Sequence, residues 1–312
     1  MEPAPLLTLP GAPIRGEAMF VRGAEGARLR AALCPADGAA RGSVIVSPGR
    51  TEPLEKYAEV IAELQGRGFV VLVHDWRGQG LSERFARVEP GLGHARGWRR
   101  FVADLAAVTA AFAPRLPRPW IALGHSMGGG LTLLAMAEGA VAFDAAVMSS
   151  AMLGVRLGGR PPALVRGVAA LMILAGHGGR PSPPATPGRP VEDQGQVLTH
   201  DAARWAAYQA LFGPHPELRI GWHSWGWVYF ALALSRRLQA VSDLSRITAP
   251  VTFVAAEHDR LVPNTPQKDA ASRLPRGRYL EIEGAFHEVL METDARRARF
   301  WQAFDQTVDG LG

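Results

Sequence analysis

The chain has a single cysteine, Cys34, so no disulfide can form within it and no Cys-x-x-Cys pair exists to hold a metal. Cys34 is expected to pack as a small hydrophobe in an early strand. No apolar run is long enough to span a bilayer. The longest, Ala163–Ala175, is too short and is interrupted by Arg166, although it could lie on a membrane surface. Residues Met1–Ala12 are proline-rich and lack both a basic start and a long apolar stretch, so no secretory signal is read there and a cytoplasmic chain is the expectation. Missing too is any stripe of basic residues interleaved with aromatics, and nucleic acid is not an expected partner.

The net charge is +5, and nearly all of the positive charge is arginine. The arginines are scattered in groups such as Arg99–Arg100, Arg236–Arg237 and Arg296–Arg299, with acids between the groups. Solvated faces account for that pattern. A sharper reading is attraction to an anionic membrane or a phosphate-bearing substrate. Of the 312 residues, 47% are hydrophobic and 20% charged, a balance that excludes disorder and suits one large domain or a core carrying an insertion.

Three zones are visible. Residues 1–150 alternate strand-like and helix-like segments. Met19–Arg22 and Ala27–Cys34 suggest an opening hairpin. Ser43–Ser47, Phe69–His74, Trp120–Leu123 and Ala145–Met148 are short apolar strands. Leu54–Gln65, Trp98–Phe112 and Met127–Ala137 carry apolar residues at helical spacing. Strands that are apolar throughout and alternate with helices predict an α/β fold, a mostly parallel sheet covered on both faces. The rhythm breaks over residues 151–243, which hold Pro161-Pro162, a loop-like stretch from Gly178 to Pro190, and Trp205, Trp222, Trp225 and Trp227. This zone is expected to be an inserted helical cap, or lid; a packed subdomain without a substrate role is the alternative. Alternation resumes over 244–312, with strands at Pro250–Ala255 and Tyr279–Ile282 and helices at Thr265–Ser272 and Asp294–Val308.

The strongest chemical signal is Gly124-His125-Ser126-Met127-Gly128, a G-x-S-x-G that follows a strand and precedes a helix. A nucleophile on so tight a turn needs neighbours without a Cβ, and the helix that follows aims free N–H groups at the site. A serine hydroxyl also needs a base to take its proton and an acid to orient that base. Asp259, just past one strand, and His287, in the loop after the next, occupy the carboxyl ends of strands where such sheets place function. Glu257, two residues before Asp259, is a rival acid. His125 belongs to the elbow and faces away from the reaction, while His94, His200 and His223 have no assigned place. A tetrahedral intermediate needs backbone donors. The Met127 amide is one, and the loop Pro48–Glu52 is expected to supply the other from Arg50, with Gly49 letting the chain turn inwards.

The chain resembles an α/β-hydrolase of the monoacylglycerol lipase and bacterial lysophospholipase branch. The likeness is carried by Val44–Glu52 with Lys56-Tyr57, by His74-Asp-Trp-Arg-Gly-Gln-Gly-Leu-Ser82, by Gly124–Gly129 and by Glu283–Glu292, and it extends weakly to Val197–His200. It covers essentially the whole sheet domain. It is similar above all to the inner-membrane-associated lysophospholipases of bacteria, in which a P-G-R-x-E loop replaces the H-G-x-G-E loop of monoacylglycerol lipases. The resemblance implies Ser126, Asp259 and His287 as a triad and Arg50 and Met127 as oxyanion donors. It also implies a monoacyl lipid ester as substrate, and no metal or cofactor. Asp75-Trp-Arg-Gly-Gln-Gly is read as a structural turn, with Asp75 and Arg77 pairing or bonding to backbone. The Arg50 side chain has two readings: it meets a substrate phosphate as a bidentate partner, or it pairs with Glu52.

Overall fold

The computed structural model describes residues 1–9, 11–85, 88–89, 91–183, 195–240 and 242–311. Its centre is a sheet of nine strands among the described residues: β1 (Glu2–Ala4), β2 (Glu17–Arg22), β3 (Arg28–Cys34), β4 (Gly42–Ser47), β5 (Phe69–His74), β6 (Trp120–His125), β7 (Ala145–Ser149), β8 (Val251–Ala256) and β9 (Gly277–Ile282). Their spatial order is β1-β2-β3-β5-β4-β6-β7-β8-β9. The first three and the β3–β5 pair run antiparallel, and every pair from β5 to β9 is parallel.

Alternation along the buried strands sorts side chains onto two cores. Val44 and Val46 of β4, with Ile121 and Leu123 of β6, face α1 (Ala58–Gly66) and α9 (Asp294–Asp309). Ile45 and Ala122 face the other way, toward α2 (Arg99–Phe112) and α3 (Met127–Ala137). Side chains with period two and apolar residues on both faces leave a parallel sheet wrapped by helices as the way to keep them from water. A buried contact such as Phe304 edge-on to Phe69, with centroids 6.0 Å apart, is worth about 3–5 kcal/mol if a phenylalanine is cut to alanine.

Between β7 and β8 the described chain forms α4 (Pro162–Leu174), α5 (Gly195–Leu198), α6 (Ala202–Ala210) and α7 (Trp225–Ala240), and α8 (Thr265–Arg273) follows β8. Part of the loop-like stretch noted in the sequence, residues 184–190, lies outside the described residues. Phe230, Ala231 and Leu234 on α7 join the core against α3, and Ala169 of α4 packs on Val228 and Leu232 of α7. Much of α4 is uncovered: Leu164, Val168, Leu171, Ile173 and Leu174 are exposed. Among the described residues no helix is long and apolar enough to cross a membrane.

One strand was not legible in the sequence. Glu2–Ala4 pairs with β2 although it contains Pro3, because a proline without an N–H is tolerated on an edge strand.

Candidate active site

His125 ends β6 and Met127 begins α3, so Ser126 has to turn the chain alone. It does so at φ +49°, ψ −119°, a conformation costing about 1–3 kcal/mol that persists only when its surroundings fix it. They do. The Ser126 amide donates to Ser149 O (3.0 Å), and its carbonyl accepts from Gly130 N (3.2 Å) and Met152 N (2.8 Å). Gly128 lets α3 press against the end of β4: a Cβ there would lie 2.1 Å from Ser47 O and 2.4 Å from Pro48 O. Gly124 is similarly confined, against Gly129.

The structure brings Ser126, His287 and Asp259 together. His287 Nε2 lies 3.0 Å from Ser126 Oγ, and His287 Nδ1 lies 2.6 Å from Asp259 Oδ2. The histidine and the aspartate are buried, while Ser126 is partly exposed. Burial alone would raise the Asp259 pKa. The charge and hydrogen bond of His287, with the Leu261 and Val262 amides on Oδ1 (2.8 and 2.9 Å), outweigh it and hold the carboxyl below its ordinary value. An ionised Asp259 keeps the proton of neutral His287 on Nδ1 and leaves Nε2 free to accept from the serine. Glu257 takes another place: it is exposed and its carboxylate accepts from the Gly284 amide (2.7 Å).

The loop after β4 is pinned on both sides of Arg50. Gln79 bridges it, accepting from Thr51 N (2.9 Å) and donating to Gly49 O (3.0 Å). The Gly49 amide donates to Glu52 (2.5 Å), whose carboxylate fills the space a Gly49 Cβ would need. The Arg50 amide has no acceptor among the described residues, nor has the Met127 amide at the first position of α3. Gln79 was missed from sequence; its only signal was its place in the Asp75–Gly80 turn. In that turn Asp75 accepts from Leu54 N, Leu81 N and Arg30 Nε, and Arg77 pairs with Asp104.

Beneath the elbow lies a buried charge cluster. Lys56 Nζ bonds Glu52 Oε1 (2.8 Å) and Glu288 Oε2 (2.6 Å), and Tyr57 donates to Glu52 (2.6 Å). His125 Nε2 lies 3.4 Å from Glu52 and 3.2 Å from Glu288, ion-pair contacts without a well-aligned hydrogen bond. Burial would lower the His125 pKa, but the two carboxylates outweigh it and push it up to about 10. Burial would raise Glu52, but Lys56 and His125 bring it down to about 2, and Glu288 is likewise held well below its ordinary value. Two anions thus face two cations. Glu52, His125 and Glu288 are spaced as metal ligands could be, with Lys56 bonded to both carboxylates.

Glu52 does not pair with Arg50, contrary to one of the two readings, because Lys56, Tyr57 and the Gly49 amide hold its oxygens. Arg50 reaches the other way. Its Nη1 donates to Gly221 O (3.1 Å), and its guanidinium carbon stands 5.0 Å from the Trp227 ring centroid on α7. The unassigned histidines serve packing. His94 Nδ1 meets Ser224 Oγ (2.8 Å), His200 stacks on Phe286 and contacts Glu292 (2.7 Å), and His223 lies against Trp227.

Comparison with known proteins agrees with this architecture. Residues 38–294 match the family described as serine aminopeptidase, S33. Lysophospholipase L2 of Escherichia coli (strain K12) is 30% identical over 273 residues, covering 82% of this chain and 76% of that one. Monoacylglycerol lipase of Mycolicibacterium smegmatis is 30% identical over 264 residues, covering 82% and 84%. A soluble variant of the Saccharomyces cerevisiae monoglyceride lipase superposes with a TM-score of 0.72 at 17% identity, over 95% of this chain and 97% of that one, a likeness of fold. The chain therefore belongs to the serine aminopeptidase S33 family, and is an α/β-hydrolase enzyme of the carboxylic ester hydrolase class.

Proposed function

We propose that the protein cleaves the carboxylic ester of a monoacyl lipid, a lysophospholipid or monoacylglycerol, through an acyl-enzyme on Ser126. The observation that carries this is His287, in contact with Ser126 Oγ through Nε2 and with Asp259 through Nδ1. His287 takes the Ser126 proton as Oγ attacks the ester carbonyl, and the Arg50 and Met127 amides receive the oxyanion. His287 then protonates the departing alcohol. Water, deprotonated by the same histidine, releases the fatty acid, while Asp259 holds the tautomer and steadies the imidazolium.

The substrate reading rests on the two curated relatives and on the apolar side chains of α4 and α7, which we read as part of a cap over the sheet. An acyl chain buried among such side chains gains about 0.8 kcal/mol per methylene. The uncovered apolar face of α4, with Arg160 and Arg166 on the same stretch, supports peripheral contact with an anionic membrane. An aminopeptidase would need a free anion to hold the substrate's amine; of the two charged side chains in the loop after β4, Glu52 is engaged by Lys56, Tyr57 and the Gly49 amide, and the other is the cation Arg50.

The test is fatty-acid release from lysophosphatidylcholine, lysophosphatidylethanolamine and monoacylglycerol, beside a short soluble ester. Release from the long-chain lipids supports the reading. Cleavage confined to the short ester, or acyl transfer to an added alcohol in place of hydrolysis, would replace it with a small-ester hydrolase or an acyltransferase.

A further inference from the structure

The buried cations of this protein are, with few exceptions, matched by anions. Arg30 is enclosed by Glu55 and Asp75, Lys56 by Glu52 and Glu288, Arg77 by Asp104 and Arg297 by Glu59 and Glu63. Arg50 departs from that rule. Among the described residues no carboxylate lies within ion-pair distance of it, and its one hydrogen bond, from Nη1 to Gly221 O, leaves Nε and Nη2 without a protein acceptor. Arg84 also lacks a carboxylate, but its Nη1 and Nη2 both end on carbonyls, those of Gly78 and Glu217, at 2.6 Å.

The nearest carboxylate, Glu52, acts on Arg50 only through space and is itself held by Lys56, Tyr57 and the Gly49 amide. Arg50 is partly exposed, yet its guanidinium sits deep enough that burial pulls its pKa down to about 10. The neighbouring His223 is held neutral, lowered to about 4 by burial and by the Arg50 charge. Trp227, whose ring faces the guanidinium, has a buried Nε1 with no hydrogen-bond partner. A desolvated cation and, on the ring that it covers, an indole N–H without a partner are each costly when left without an acceptor, and an anion would satisfy both.

We propose that the Arg50 guanidinium and the Trp227 indole N–H form a subsite for the phosphate of a phosphate-bearing monoacyl lipid. The inference rests on the ester-hydrolase reading above and narrows its substrate. One residue then serves both ends of the substrate's glycerol unit. The Arg50 amide faces the ester carbonyl, and its side chain reaches a phosphate separated from that carbonyl by roughly the length of an arginine side chain. The planar fork of guanidinium donors suits two phosphate oxygens at once, which a lysine ammonium would not match.

The experiment compares wild type with Arg50→Gln, Arg50→Lys and Trp227→Phe. It measures the ratio of kcat/KM for lysophosphatidylethanolamine to that for monoacylglycerol of the same acyl chain. Inhibition by glycerol 3-phosphate and by inorganic phosphate is read separately on a short chromogenic ester. The ratio should fall roughly ten- to hundredfold in Arg50→Gln. It should fall less in Arg50→Lys and in Trp227→Phe, and glycerol 3-phosphate inhibition should weaken in the same order. An unchanged ratio with no Arg50-dependent inhibition would overturn the subsite. An unchanged ratio with inhibition by inorganic phosphate alone would overturn the head-group assignment in favour of a free-phosphate site. Because inhibition is measured on a short ester, failure of the subsite is distinguishable from failure to cleave long-chain lipids at all.

Discussion

His125 and Glu288 form an ion pair that ties the residue before Ser126 to the residue after His287, with Nε2 3.2 Å from Oε2. The end of β6 and the loop after β9 are thereby fixed to each other by charge as well as by the contact between serine and histidine. Lys56 and Glu52 extend the tie to the loop after β4, since Glu52 also holds the Gly49 amide. One buried cluster therefore sets the relative positions of Ser126, His287 and the loop after β4, to which we assign the roles of nucleophile, base and oxyanion donor.

That cluster predicts a pH window for stability. His125 is raised from 6.5 to about 10 in the folded chain, so its contribution is complete below pH 6.5 and is lost as pH rises toward about 10. Glu52 is lowered from 4.5 to about 2, so its contribution is present above pH 4.5 and is lost as pH falls toward about 2. Thermal unfolding of the wild type should peak between these limits. The alkaline decline should be shallower in His125→Gln, which has no imidazolium to lose. Parallel Tm-against-pH curves for the two proteins would show that His125 carries no charge in the fold.

Asp259 and Glu257 are separated by a single test. Asp259→Asn leaves the shape but reverses the hydrogen-bond preference at His287 Nδ1, and kcat should drop by about 10⁴-fold. Glu257→Gln, whose side chain binds the Gly284 amide, should change kcat by less than about tenfold. If the two variants exchange these outcomes, Glu257 is the acid.

Two glycine substitutions should differ in kind. Gly128→Ala places a methyl 2.1 Å from Ser47 O, forcing α3 away from β4 and disturbing the elbow. It should cost at least about 2 kcal/mol and most of the activity. Gly167→Ala on α4 meets nothing within 4 Å and should stabilise by about 0.5–1 kcal/mol. Denaturant unfolding of both, with esterase assays alongside, checks the contrast.

The exposed face of α4 gives a membrane prediction. Leu171 is 66% and Leu174 83% exposed on one helix, against ordinary expectation for a packed surface. The wild type should sediment with anionic vesicles at low salt, and Leu171→Asp combined with Leu174→Asp should abolish this without lowering Tm. Equal sedimentation of the two would remove α4 as the contact.

Much of this molecule was readable from its residues. The apolar runs at Ser43–Ser47, Phe69–His74 and Pro250–Ala255 and the helical spacing of Trp98–Phe112 correspond, within a residue at each end, to β4, β5, β8 and α2, because period and burial are local properties of the chain. Ser126 announced itself through flanking glycines that the tight packing on Ser47 requires. What stayed hidden depends on distant partners. Glu52, Lys56, His125 and Glu288 come from three separated segments, and no local pattern tells a buried, neutralised cluster from solvated charges. The expected pairing of Arg50 with Glu52 followed their closeness in sequence, whereas Lys56 and Tyr57, one turn further on, had already engaged the carboxylate. Gln79 holds the loop after β4 from a turn whose glycines drew attention to the backbone alone.

The most direct test of the account is covalent trapping at Ser126. After reaction with a long-chain fluorophosphonate, peptide mass analysis should find one adduct, on the peptide containing Ser126. The adduct should be absent from Ser126→Ala and formed far more slowly in His287→Ala, with ester hydrolysis lost in step. An adduct on another serine, or hydrolysis that survives in Ser126→Ala, would contradict the mechanism at its centre.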